Sequence, residues 1–187
     1  MNLPNKLTVM RVILVPFFIF FLLCDVPFGS QASSILALVV FIAASVTDAL
    51  DGHIARSRNL VTNFGKFLDP LADKVLVISA LVCFIQMGLV GAVPVIIIIA
   101  REFMVSGLRL VTANEGVVVA AGIWGKLKTA FTMVSIVIIL FFAVLFATQA
   151  MRQNITEQVL IWISTILTVI SGAIYLNGYK EYINTDK

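Results

Sequence analysis

Charge is what this sequence has least of. Only 12% of its 187 residues are Asp, Glu, Lys or Arg, against about a quarter in an average soluble domain. With 60% hydrophobic residues and a mean hydropathy of +1.07, no water-soluble fold of this length can hide its apolar surface. The bilayer must be part of the solvent. Histidine occurs once, as His53, and cysteine twice, as Cys24 and Cys83. Neither cysteine has metal-ligand spacing, which excludes a zinc site and a disulfide framework, and both read as small hydrophobes. No Ser–His or Cys–His pair is evident, so a covalent intermediate has no obvious nucleophile. There is no internal repeat and no low-complexity segment. The net charge is only +3, and no nucleic acid is expected as a partner.

What the chain does have is long uncharged runs: Val26–Thr47, Val75–Ala100, Thr129–Met151 and Gln158–Tyr179. A spanning helix needs roughly 20 residues, so the length allows about six spans and leaves no room for a second soluble domain. Val75–Ala100 is too long for one ordinary span, and Gly88-Leu-Val-Gly91-Ala-Val-Pro94 splits it. The expected fold is all-α, a single transmembrane catalytic domain over 1–187 with six helices near 7–24, 33–57, 66–88, 92–112, 126–149 and 157–179. The connections near 25–32 and 88–92 carry no Lys or Arg, and the one near 150–156 carries only Arg152. The positive-inside rule then puts both termini and the other two connections in the cytoplasm. A signal peptide is the competing reading of the N-terminus, since Lys6 and Arg11 precede an apolar run. The polar set Asn5, Thr8 and Arg11 argues for a retained helix instead.

The chemistry concentrates where the second and third spans meet the cytoplasm. The chain reads Asp48-Ala-Leu-Asp51-Gly52-His-Ile-Ala55-Arg56, then, after a short connection, Gly65-Lys-Phe-Leu-Asp69-Pro-Leu-Ala-Asp73. Asp48 and Asp51 are three apart, Asp69 and Asp73 four apart, so each pair shares one helix face. Two antiparallel neighbours can turn those faces together. A carboxylate inside a span costs about 3 kcal/mol on insertion scales, and four together also repel. Bound cations offset that best, and an all-oxygen site suits Mg²⁺ or Mn²⁺. Two such ions can clamp a phosphoryl centre. Gly52 and Gly65 remove side chains beside the acids, letting a flat ligand approach the backbone. Arg56 could grip a phosphate bidentately. The competing readings are local: Asp69-Pro70 as a helix N-cap with proline at N1, and Asp48 and Asp51 as the wet end of a helix. His53 reads as an interfacial bystander.

Asp48-x-x-Asp51-Gly52-x-x-Ala55-Arg56 followed by Gly65-x-x-x-Asp69-x-x-x-Asp73 resembles the signature of the CDP-alcohol phosphotransferases at all eight positions. Asn5-Lys-Leu-Thr8-Val-Met-Arg11 looks like the start of that family's first helix. Arg101-Glu102-Phe103, Gly107-Leu-Arg109 and Gly125-Lys126-Leu-Lys128-Thr129 look like its bacterial branch with glycerol 3-phosphate as acceptor. The resemblance implies a six-helix fold in the bacterial cell membrane, usually a homodimer, with a cytoplasmic active site. It also implies a CDP-diacylglycerol donor and two metal ions held by Asp48, Asp51, Asp69 and Asp73, with Asp73 doubling as general base. Gly52, Arg56 and Gly65, with Asn5 and Thr8, would contact CDP-diacylglycerol. Arg101, Arg109, Lys126, Lys128 and Arg11 would serve the acceptor's phosphate.

Rival readings stand beside these. Arg101 could pair with Glu102 or another acid, Lys126 and Lys128 could be cytoplasmic anchors, and Asn5, Thr8 and Arg11 could be interfacial helix-start residues. The same scaffold could use serine, inositol phosphate or phosphatidylglycerol as acceptor. A divalent-cation transporter would also bury acids, but near the bilayer midplane rather than at one edge.

Overall fold

The computed structural model describes residues 3–24, 29–57, 63–114, 122–145 and 155–178, with side chains described in these segments except at 3–5, 48–57, 63–70, 73, 110, 111, 113 and 114. Among the described residues six helices follow one another: α1 (Leu3–Leu23), α2 (Ser30–Ser57), α3 (Asn63–Gln86), α4 (Ala92–Asn114), α5 (Ile123–Leu145) and α6 (Ile155–Gly178). The all-helical fold expected from the uncharged runs is therefore present, with every helix end within four residues of its expected place. The split of the longest uncharged run falls at Gly88. Its φ of 71° is the left-handed conformation that ends helices and suits glycine, and its N–H donates to the Ile85 carbonyl at 2.9 Å.

Among the described residues four helices contain a stretch long and apolar enough to cross a membrane: Lys6–Leu23, Ser30–Thr47, Ile123–Leu145 and Ile155–Gly178. The apolar part of α3 is shorter, Lys74–Gln86. α4 carries Arg101, Glu102 and Arg109 along its length. The molecule is a multi-pass membrane protein, and its surface says so. Large apolar side chains such as Phe17, Val39, Ile96, Phe103, Val134 and Ile166 stand exposed. In water this exposure would cost about 25 cal/mol per Å²; against lipid tails it costs little. The interior instead collects Thr8, Arg11, Ser33, Lys128, Thr132, Ser135, Glu157, Ser164 and Thr168.

The chain forms two compact units. One comprises Met1–Gly88 and Ile136–Arg152, the other Leu89–Ser135 and Gln153–Lys187. In the first unit α1 packs against both α2 and α3. Its buried residues are Thr8, Arg11, Val15, Phe18 and Leu22, a single stripe at alternating spacings of three and four. Phe18 meets Phe41 of α2 with ring centroids 5.7 Å apart, a favourable tilted arrangement. Ala72, Leu76, Ala80 and Phe84 supply the buried stripe of α3.

In the second unit α4 packs against α6. Small hydroxyls occupy the interior. Ser135 of α5 lies 3.4 Å from Ser164 of α6. The Thr165 hydroxyl donates to its own helix at Ile161 over 2.8 Å and lies 3.4 Å from the Pro94 carbonyl of α4. Such side chains satisfy themselves on the preceding turn and allow close backbone approach, the usual packing device of membrane helices.

Candidate active site

The acidic positions sit where α2 ends and α3 begins, on either side of the 58–62 connection. Six residues separate Asp51 from Ser57 at the end of α2, and six separate Asn63 at the start of α3 from Asp69. Asp48 lies nine residues from the α2 end and Asp73 ten residues from the α3 start. At a rise of about 1.5 Å per residue, one acid of each helix lies roughly 9 Å from the connection and the other about 14–15 Å. The two acid pairs are thus at matched depths on two helices that touch. Gly52 and Arg56 share the last turns of α2 with them, and Gly65 the first turn of α3. The side chains of Asn5, Asp48, Asp51, Arg56, Asp69 and Asp73 lie outside the described residues.

The helix bounds decide one question that the residues alone left open. Because α3 starts at Asn63, Asp69 stands about two turns inside the helix and Pro70 is interior. Asp69 therefore is not an N-cap. Pro70 also removes the N–H that would have reached the Lys66 carbonyl. An acid and a helix-disturbing proline together inside a membrane-edge helix have no capping rationale, and the acid needs another.

α1 brings two more candidates. Thr8 and Arg11 are both fully buried, on the same stripe that continues as Val15, Phe18 and Leu22 against α2 and α3. The unit whose helices carry four aspartates thus has an arginine in its interior.

The other cations lie in the second unit, and the structure gathers some of them. Arg101 of α4 donates from Nη1 to Glu102 Oε1 at 3.1 Å and from Nη2 to Ser171 Oγ of α6 at 2.6 Å. Lys128 of α5 pairs with the same Glu102 oxygen. Lys128 and Glu102 are mostly enclosed, with side-chain exposures of 4% and 17%. Arg109 lies eight residues beyond Arg101 on α4, about 12 Å further along the helix, with its guanidinium 5.6 Å from the centre of the Tyr175 ring. That distance is within cation–π range. Lys126 is exposed on the first turn of α5, where its N–H and that of Gly125 cap back to the Gly122 carbonyl.

Two contributors here lie outside the residues the sequence pattern singles out: Ser171 and Tyr175. The signal was present, because Ser164, Thr168, Ser171 and Tyr175 fall at spacings of four, three and four in an otherwise apolar run, which marks one helix face. Glu102, read before only as a possible partner of Arg101, ties α4 to α5 as well.

The family model described as CDP-alcohol phosphatidyltransferase matches residues 1–170. The CDP-diacylglycerol–glycerol-3-phosphate 3-phosphatidyltransferase of Bacillus subtilis is 41% identical over 98% of both chains. The protein of the same name from Rickettsia bellii is 36% identical over 97% of both. That from Haemophilus influenzae is 36% identical over 96% of this chain and 94% of its own. A match that runs through both acid-bearing helices and most of the chain, on a six-helix membrane fold, makes this protein a member of the CDP-alcohol phosphatidyltransferase family.

Proposed function

We propose that the chain moves the phosphatidyl group of CDP-diacylglycerol onto glycerol 3-phosphate, giving phosphatidylglycerol phosphate and CMP. The observation that carries this reading is the matched depth of Asp48 and Asp51 on α2 with Asp73 and Asp69 on α3, either side of a connection spanning only 58–62. The names of full-length relatives support the choice of acceptor. The six helices act as one catalytic domain and all cross the membrane. Both termini and the acid-bearing ends face the cytoplasm, the side with the basic residues. The chain works as a homodimer.

The donor set fits divalent cations, being all carboxylate at the edge of the bilayer. Asp48, Asp51, Asp69 and Asp73 would hold two Mg²⁺ or Mn²⁺ ions, which when bound would neutralise the acids and take up charge developing on the phosphoryl oxygens. Asp73 removes the proton from the primary hydroxyl of glycerol 3-phosphate. The freed oxygen forms a bond to the phosphorus that carries diacylglycerol, and the bond from that phosphorus to the CMP oxygen breaks. CMP departs with the electron pair, its charge met by Arg56. Gly52 and Gly65 leave room for the nucleotide, and Asn5 and Thr8 contact the donor. The acceptor's phosphate is met by cations drawn from Arg101, Arg109, Lys126, Lys128 and Arg11.

The direct experiment incubates the purified protein with CDP-diacylglycerol, Mg²⁺ or Mn²⁺, and one acceptor at a time, and follows CMP. Release with glycerol 3-phosphate, and not with serine or inositol phosphate, is the expected result. Release only with another acceptor would reassign the substrate, and none with any acceptor would remove the activity. Neutralising single cations refines the picture. Arg109→Ala or Lys126→Ala should raise the KM for glycerol 3-phosphate about tenfold, as expected for one charged hydrogen bond, and leave that for the lipid within twofold. Equal changes for both substrates would count against an acceptor role.

A further inference from the structure

We propose that Ser171 and Gly172 of α6 are positioning residues that fix the Arg101 guanidinium for the phosphate of the acceptor. The inference rests on the acceptor reading above and goes further by naming what holds its cation in place. Two independent observations carry it. The first is the hydrogen bond from Arg101 Nη2 to Ser171 Oγ at 2.6 Å, made by a serine that is 4% exposed. The second is the absence of a side chain at Gly172. A Cβ there would stand 3.1 Å from Arg101 Cγ, 3.7 Å from its Nε and 3.8 Å from Met104 Cε. The Arg101 stem therefore lies flat on the α6 backbone, with the next residue along hooking its head.

This seat defines which donors remain. Of the five N–H bonds of a guanidinium, one at Nη1 is used by Glu102 and one at Nη2 by Ser171. Nε is buried without a hydrogen-bond partner among the described residues. A half-buried guanidinium that keeps a second N–H on each of Nη1 and Nη2 is suited to a phosphate oxygen pair. Glu102 does not neutralise the neighbourhood, because its Oε1 is shared between Arg101 and Lys128. Holding the arginine in advance also matters for affinity. A free arginine side chain loses rotamer freedom when it is fixed. Ser171, Gly172 and Glu102 impose that order before the substrate arrives, so binding does not have to.

A structural role alone would look different, and kinetics can separate the two. Ser171→Ala, Gly172→Ala and Arg101→Ala are made singly, and the first two also in the Arg101→Ala background. KM for glycerol 3-phosphate, KM for CDP-diacylglycerol and the melting temperature are measured for each. Ser171→Ala and Gly172→Ala should each raise the KM for glycerol 3-phosphate roughly 5- to 20-fold, from loss of one charged hydrogen bond or displacement of its donor, with the lipid KM within twofold. In the Arg101→Ala background neither should add more than about twofold, since a positioning residue has nothing left to position. The proposal is overturned if the glycerol 3-phosphate KM stays put in Ser171→Ala. It is equally overturned if both substrates' KM values rise together, or if the full effect survives without Arg101. Gly172→Ala is the bulkier change. Should it fail to fold, Ser171→Ala, which only removes atoms, decides alone. Wild-type protein that releases no CMP with glycerol 3-phosphate would mean the acceptor reading had failed, a result visible before any variant is made.

Discussion

Asp73→Asn should lower kcat by about 10³-fold or more while the protein keeps its melting temperature. Loss of a general base alone is worth about 10²–10⁴, and the same carboxylate is proposed as a metal ligand, so the two losses compound. Asparagine matches aspartate in shape, and position 73 lies ten residues into a 24-residue helix, where one amide for one carboxylate should not disturb the backbone. If the four acids converge as proposed, removing one charge should even relieve repulsion in the metal-free protein. The measurements are CMP release under saturating substrates and thermal unfolding in the same detergent. Asp69→Asn, placed at the shallower depth, serves as comparison, since it should lose metal affinity first and recover part of its rate at high Mg²⁺. Asp73→Asn should not recover. If Asp73→Asn kept a tenth of the wild-type rate, the proton would have to leave through another group.

The architecture was legible because lipid imposes a simple rule. A run of about 20 uncharged residues has to be a helix, and Gly88 marked the one place where such a run had to be cut. The four aspartates stand out in the sequence for a related reason: carboxylates are costly at membrane depth. What could not be read was local context. Asp69-Pro70 looks the same at a helix start and in a helix interior, and only the position of Asn63 as first residue of α3 separates them. Lys128 looked like any cytoplasmic lysine. Its burial follows from which face of α5 turns inward, the face it shares with the small hydroxyls of Thr132 and Ser135. Ser171, Gly172 and Tyr175 carry no charge, so cost at membrane depth does not mark them. Their spacing was visible, but small hydroxyls also pack membrane helices without further role. Contact with Arg101 and Arg109 is tertiary information.

Glu102→Ala is expected to be among the most destabilising single changes outside the apolar core, at about 3 kcal/mol. Its carboxylate is the shared acceptor of Arg101 and Lys128, and it joins α4 to α5 across little solvent. Breaking a buried pair by deleting one partner typically costs about 3–5 kcal/mol, because the desolvated charge stays behind. The lower figure applies since Glu102 keeps some exposure. For a chain of this size that corresponds to a fall of roughly 10 °C in melting temperature. The origin of the loss predicts its cure. Glu102→Gln combined with Lys128→Met removes the acid and the more enclosed of its two cations together and fills similar volume, so most of the melting temperature should return. Activity should not return with it, because Arg101 lacks the carboxylate that holds Nη1 and Lys128, itself proposed to meet the acceptor phosphate, is gone. Differential unfolding and KM for glycerol 3-phosphate on the two variants test both halves. A Glu102→Ala protein that melts within a degree of wild type would mean the pair contributes nothing to α4–α5 packing. Full recovery of the acceptor KM in the double variant would mean that Glu102 does not orient Arg101 and that Lys128 does not meet the acceptor phosphate, leaving Ser171 and Gly172 to hold Arg101 alone.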